Sequence, residues 1–273
     1  MKYKYMIEID LIRHVKVSGK PALYGCTDVA PIATENDRLL QRLIAQQQTT
    51  KAYHSVISSS LSRCQQVAQN FSQRCQLPLT LSKPLQEMNF GKFDGVAFDD
   101  LFLANPLRDK KQTLNMTADE RKNHGQRSDL SANLSWSELD AFFHSPAEVV
   151  LPEAESLTDF HYRITQAWKN LITQQVDINA KQKDSKTPRR ILVIAHGGVI
   201  RMILAHVLQL DWKNAAWYQQ LHIGYGSLSR IIIHQPYLKT TLEQTSEQAL
   251  SKQTHNQLHQ QVTAIAMPFI DGF

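Results

Sequence analysis

The first apolar run, Met6 to Ile12, is rich in strand-forming residues and reads as a buried strand. Pro21 to Pro31, with Gly25 and Asp28, reads as a loop. Thr34-Glu35-Asn36-Asp37 resembles a capping box, and Leu39, Leu40, Leu43 and Ile44 follow at helical spacing. Ser55 to Ser59 is a short strand. From Ser62 to Gln76, Val67, Phe71 and Cys75 recur every fourth residue, which predicts an amphipathic helix. Leu79 to Leu81 reads as another short strand ahead of Pro84. Ser156 to Gln175 is a strong helix, with Leu157, Phe160, Ile164, Trp168, Leu171 and Ile172 on one face. Lys181 to Arg190 reads as a charged loop. Ile191 to Ala195 is a strand, Val199 to Leu210 is helical, and Gly226 to His234 is the final strand.

Two stretches interrupt this alternation. Residues 105–151 are polar, with Asn115, Asn123, Gly125 and Asn133, yet hold an apolar cluster of Trp136, Leu139, Phe142 and Phe143. They read as a helical insertion able to cover a site. From Gln235 onward Gln, Thr, Ser and His dominate until Ile265 to Phe273, so the tail reads as partly disordered or packed late on the surface. The expected fold is α/β: a three-layer α/β/α sandwich with a mostly parallel sheet, plus a helical insertion. One domain is expected over 1–273, with its core at about 5–100 and 151–235, the insertion at about 101–150 and a C-terminal extension at about 236–273.

Composition narrows the function classes. The chain has 273 residues, 42% hydrophobic and 20% charged, enough to bury one large core. Its net charge of +5 suits an anionic ligand without demanding one. Basic residues come in short groups, such as Lys110-Lys111 and Arg189-Arg190, without interleaved aromatics, which argues against nucleic acid. Cys26, Cys64 and Cys75 lack metal-ligand spacing, and their odd number points to a reducing compartment. No stretch is long and apolar enough for a secretion signal or a membrane span. The expectation is a soluble cytoplasmic protein with neither a membrane nor a nucleic-acid partner.

The candidate chemistry sits at strand ends. The first strand runs into Arg13-His14, and Ile191 to Ala195 runs into His196-Gly197-Gly198. Ligands of open α/β sheets bind beyond the carboxyl ends of the strands. Two imidazoles and an arginine there suit a phosphoryl group. His14 is a candidate nucleophile if its other ring nitrogen is held by a backbone carbonyl, and Arg13 a candidate clamp for phosphoryl oxygens. Gly197 and Gly198 would aim backbone N–H groups at an anion. Arg63 falls in the first turn of a helix, where the macrodipole disfavours a cation, so another partner is expected. Glu87, beside two apolar side chains, is a candidate general acid. Glu155 is most simply a charge at a helix start.

Together these segments resemble the histidine phosphatase superfamily, also called phosphoglycerate mutase-like. The match lies in Leu11-Ile12-Arg13-His14, Ser58-Ser59 with Arg63-Cys64, and Glu87 with Phe90-Gly91 and Gly95. It continues in Glu155-Ser156-Leu157 with Phe160 and Arg163, and in Ala195-His196-Gly197-Gly198-Val199-Ile200-Arg201. The resemblance implies a phosphomonoesterase that works through a phosphohistidine, with no cofactor and no metal. His14 would attack phosphorus, and Arg13, Arg63 and a cationic His196 would hold the transferring oxygens. Glu87 would protonate the leaving alcohol and then activate water. The implied partner is a small-molecule phosphate ester. The loop Leu23-Tyr24-Gly25-Cys26-Thr27-Asp28 and the segment Glu87 to Gly95 look most like the alpha-ribazole phosphatase branch of cobalamin biosynthesis.

The sequence departs from the family in two places. Val15 stands where the family has glycine after the first histidine, and is expected to narrow the approach to His14. The family's asparagine shortly after is missing, with Ser18, Gly19 and Lys20 in that region. A broad-specificity phosphatase or a mutase-like enzyme is the alternative within the family, although the long mutase segment has no match. The rival of another class is a non-catalytic phosphoryl-binding protein, supported by Val15 and the tail.

Overall fold

The computed structural model describes residues 3–103, 134–181, 188–236 and 258–269. Six strands form one sheet: β1 (Tyr3–Arg13), β2 (Ser55–Ser59), β3 (Leu79–Ser82), β4 (Arg189–Ala195), β5 (Ser227–Pro236) and β6 (His259–Pro268). Their order is β3-β2-β4-β1-β5-β6. β3, β2, β4 and β1 pair in parallel, while β5 runs antiparallel to both β1 and β6. Every β4 residue is buried, as a parallel strand covered on both faces requires.

Side chains alternate across that sheet and divide it into two cores. Ile191, Val193 and Ala195 of β4 and Ile9 and Leu11 of β1 face α5 (Leu157–Lys181) and α6 (Gly197–Leu208). Leu192, Ile194 and Ile12 face α1 (Ala33–Gln47) and α2 (Ser62–Cys75). This is the expected three-layer sandwich with a mostly parallel sheet. Three short α-helices are also described: α3 (Phe98–Leu103), α4 (Trp136–His144) and α7 (Ala216–Gln219). Leu139 and Phe142 of α4 are buried in the α5–α6 core. Asn115, Asn123, Gly125, Asn133 and the Lys110-Lys111 pair lie outside the described residues. No described helix is long and apolar enough to cross a membrane.

Four sequence expectations change. α1 starts at Ala33 with no side-chain cap, and Glu35 Oε2 instead accepts from the Lys16 N–H at 3.1 Å. A true capping box opens α4, between Ser135 and Glu138. α5 runs past Gln175 to Lys181, and Arg189 and Arg190 open β4 rather than ending a loop. Arg190 is held there by Asp10 at 2.8 Å and Glu8 at 2.9 Å, both on β1. The strand β5 is not the last, because β6 adds an edge from the polar tail. Val262, Ala264 and Ala266 turn partly inward there, and the Trp168 indole N–H donates to Gln260 Oε1 at 3.0 Å.

Candidate active site

β1 and β4 are neighbours in register, with Arg13 opposite Ala195 at their carboxyl ends. The His14 N–H donates to the Ala195 carbonyl at 3.0 Å, extending the pairing one step beyond the strands. The rings of His14 and His196 therefore meet, their centroids 5.1 Å apart and their planes at 65°. His14 Nδ1 lies 2.7 Å from the Val15 carbonyl. A carbonyl only accepts, so Nδ1 carries the proton and the lone pair is on Nε2. Burial, then Arg13 and Arg63, hold the His14 pKa well below its ordinary value.

His196 is also a neutral ring in this arrangement. Arg63 Nε donates to His196 Nδ1 at 3.3 Å, which leaves Nε2–H to donate to Ser59 Oγ at 2.8 Å. Burial first, then His14 and Arg63, lower its pKa strongly. Cys64 Sγ lies 3.6 Å from the same ring, and burial pushes that thiol up.

Arg63 has the extra partner that its place in the first turn of α2 predicts, but the partner is not an open anion site. The side chain is fully buried. Nη1 donates to the Thr27 carbonyl at 2.9 Å, and Nη2 to Tyr24 and Gly25 at 2.9 and 2.7 Å. Arg63 therefore braces the 24–27 loop and sets the field around both histidines.

Arg13 is the more available cation. Its Nη1 donates to the Ile223 carbonyl at 2.5 Å, its guanidinium carbon sits 3.8 Å from the Tyr225 ring centroid, and its Nε is buried without a partner among the described residues. A Cβ on Gly197 would press to 3.3 Å from that Nε, and a Cβ on Gly198 would clash with Glu87 Oε1. Both glycines let charged side chains close on the start of α6. The Gly198 N–H donates to Glu87 Oε2 at 2.9 Å.

These groups share one cavity of about 260 Å³. Arg13, His14, Glu87 and Gly197 line it, whereas His196 and Arg63 stand behind the wall. The sequence reading gave no role to Arg201, Tyr218 or Tyr225, which also line it. Arg201, on α6 one turn past Gly197, faces in and is held through Nε by the Leu221 carbonyl at 3.0 Å. Its i, i+4 spacing from Gly197 was the available signal. Phe90, Phe143, Phe160, Tyr218 and Tyr225 give the remaining wall an aromatic character. Val15 is not in the cavity. It is fully buried with Leu39, Leu40 and Leu43 on the far side of the sheet, so it does not narrow the approach to His14. Glu155 is not a simple helix-start charge either, since both its oxygens bind Arg163, at 2.8 and 2.7 Å. Among the described residues no group of three or more His, Cys, Asp or Glu could hold a metal ion.

A family model described as histidine phosphatase superfamily (branch 1) matches residues 9–128 and 122–242. No curated protein matches the chain by sequence. Solved structures with the same fold include a mycobacterial glucosyl-3-phosphoglycerate phosphatase, 15% identical, with a TM-score of 0.65 over 96% of this chain and 99% of that one. The mycobacterial enzyme has also been solved with inorganic phosphate and with VO3. An alpha-ribazole phosphatase from Shigella flexneri is 18% identical, with a TM-score of 0.56 over 82% of this chain and 90% of that one. A putative alpha-ribazole-5'-P phosphatase from Escherichia coli is 15% identical, with a TM-score of 0.58 over 96% and 98%.

Proposed function

This chain belongs to the histidine phosphatase superfamily and is a phosphoric monoester hydrolase, and on that premise we propose that it passes the phosphoryl group through His14 without a metal ion. The observation that carries this reading is the His14 Nδ1 to Val15 carbonyl contact of 2.7 Å, which leaves a neutral Nε2 lone pair in a cavity with Arg13 and Glu87. Nε2 attacks phosphorus, the bond from phosphorus to the ester oxygen breaks, and the protonated Glu87 gives its proton to that oxygen. The alcohol leaves. The Glu87 carboxylate then takes a proton from water, the resulting hydroxide attacks phosphorus, and the P–N bond breaks to restore the lone pair. Arg13 and the amides at the start of α6 hold the phosphoryl oxygens. Arg63 and His196 act from behind, the first by its charge and the second by fixing Arg63.

For the substrate we propose alpha-ribazole 5'-phosphate, whose base is aromatic. The aromatic lining beyond Glu87 and the resemblance of the 23–28 loop support it. Arg201 favours a second reading, an ester that carries a further anionic group, because its two terminal nitrogens make no hydrogen bond to the described residues. The small-molecule ester is the only partner proposed. We place the enzyme in the cytoplasm, since all three cysteines are free and Cys26 is exposed.

The test is hydrolysis of a chromogenic phosphate ester with excess chelator. Turnover should survive chelation and fall at least ~1,000-fold in His14→Ala, the order seen when a nucleophile is removed. A metal requirement, or phosphate binding without turnover, would overturn the mechanism. A panel of kcat/KM values then assigns the substrate. Preference for alpha-ribazole 5'-phosphate supports the first reading, preference for glucosyl-3-phosphoglycerate or a sugar bisphosphate supports the second, and similar values for all mean a broad phosphatase.

A further inference from the structure

Glu87 sits on a segment with little regular structure of its own. It lies between two single-turn 3-10 helices, Lys83–Leu85 and Gly91–Phe93. Backbone bonds alone leave a carboxyl on such a stretch free to wander, and general acid catalysis requires it within hydrogen-bond reach of the leaving oxygen.

An ion pair from α5 removes that freedom. Arg163 Nη1 donates to the Pro84 and Gln86 carbonyls at 2.7 and 3.0 Å, and Nη2 to the Glu87 carbonyl at 3.3 Å. The remaining donors, on Nε and Nη2, go to the two Glu155 oxygens at 2.8 and 2.7 Å. All five N–H groups of the guanidinium are thus committed. Glu155 grips the other side of Glu87. Its N–H donates to the Asn89 carbonyl at 2.9 Å, and its Oε2 accepts from the Asn89 N–H at 3.4 Å. The pair is largely shielded, with side-chain exposures of 27% for Arg163 and 16% for Glu155. Its base is rigid too, because Ser156 Oγ accepts from the Asp159 N–H at 3.0 Å and caps α5. Neither Arg163 nor Glu155 lines the cavity.

We propose that Arg163 and Glu155 are positioning residues that lock the main chain on both sides of Glu87, so that its carboxyl stays against Gly198 and in line with the leaving oxygen. This rests on Glu87 being the general acid. Lysine cannot reproduce the role, because an ammonium lacks the planar fork that reaches three carbonyls and a carboxylate at once.

The test compares kcat/KM for two esters, which reports the transfer to His14 alone. One is 2,4-dinitrophenyl phosphate, whose leaving group departs without a proton. The other is an alkyl phosphate, which needs one. Glu87→Gln should shift the ratio of the two values by about 100-fold against the alkyl ester, the usual size of a general-acid contribution. Arg163→Lys and Glu155→Gln should shift the same ratio in the same direction by roughly 10-fold or more, with melting temperatures followed in parallel. If Arg163→Lys and Glu155→Gln lower both esters equally while Glu87→Gln shifts the ratio, the pair is merely structural and the proposal fails. If Glu87→Gln leaves the ratio unmoved, the general-acid assignment fails first and takes the proposal with it. Should Arg163→Lys not fold, Glu155→Gln alone decides, since it keeps the size of the side chain while removing its charge and one of the two oxygens that accept from Arg163.

Discussion

The sheet carries two buried groups of charge, and they are built on opposite terms. Midway along β1, Glu8 and Asp10 face Arg190 at the start of β4 and Arg230 on β5. Asp10 lies 2.8 Å from Arg190 and 2.6 Å from Arg230, and Glu8 lies 2.9 and 3.0 Å from them. Two acids meet two bases, and Tyr53 adds its hydroxyl to Asp10 at 2.7 Å. A few residues further along, Arg13, Arg63 and Arg201 gather around the strand ends against Glu87. The first group balances two acids against two bases. The second is left with positive charge and two neutral imidazoles. The difference separates a device for holding the sheet together from a site waiting for an anion.

The comparison breaks most visibly if one member of each group is removed. Asp10→Ala leaves Arg190 and Arg230 with Glu8 alone, and should lower the unfolding free energy by about 3–5 kcal/mol, the cost of an uncompensated buried charge. Arg13→Met removes surplus charge, so without ligand its stability should stay within ~1 kcal/mol of the wild type. Vanadate should narrow the difference between the two losses. At 100 times its Kd it adds about 2.7 kcal/mol to the wild type, a gain that Arg13→Met should lack. Denaturant titrations of the wild type and both variants, with and without vanadate, give the six values. Equal losses for both in the empty protein would mean that the site is closed as tightly as the cluster.

Acid sharpens the same contrast, because His14 and His196 both have pKa values held well below 6.5, chiefly by burial. Below pH 6.5 the unfolded chain binds protons that these folded rings refuse. Stability therefore falls as pH drops from 6.5 toward the folded pKa values, and is fully present above 6.5. Each ring contributes up to ~1.4 kcal/mol per pH unit. His54, His161 and His206 are lowered as well, so the readout is the change in slope between the wild type and His196→Asn. A slope that this substitution leaves alone would mean that His196 is not a buried neutral ring.

Much of this was legible in the sequence where one element decides its own fate. The Ile191–Ala195 part of β4 and the α2 helix follow from an uninterrupted apolar run and a four-residue periodicity, and the meeting of His14 and His196 follows from two strands that each run into histidine. What stayed hidden depends on distant partners. Arg189-Arg190 looks like loop until Asp10, on a strand far away in the chain, supplies the countercharge. β6 alternates half-buried Gln260, Val262, Ala264 and Ala266 with exposed positions that include Ile265 and Met267, a weak signal for an edge strand. Glu155 gives no local hint that it reaches back to the chain beside Glu87, and the carbonyls that engage Arg63 belong to a loop that has no regular pattern.

Val15 offers the smallest effect, and it tests which side of β1 matters to the chemistry. Its side chain is fully buried between Leu39, Leu40 and Leu43, while only its carbonyl reaches His14. Val15→Ala keeps that carbonyl and removes two methyl groups from the core, so it should cost about 2 kcal/mol of stability. kcat/KM should change less than about twofold, since no atom in contact with the ring is lost. Val15→Gly, the residue that the family resemblance favours, should destabilise further by roughly 1 kcal/mol of backbone freedom and should not raise activity. The two measurements separate core from cavity because they read different faces of one residue. A rise in kcat/KM for Val15→Gly at unchanged melting temperature would return the valine to the path of the substrate, and with it the expectation that the sequence alone supports.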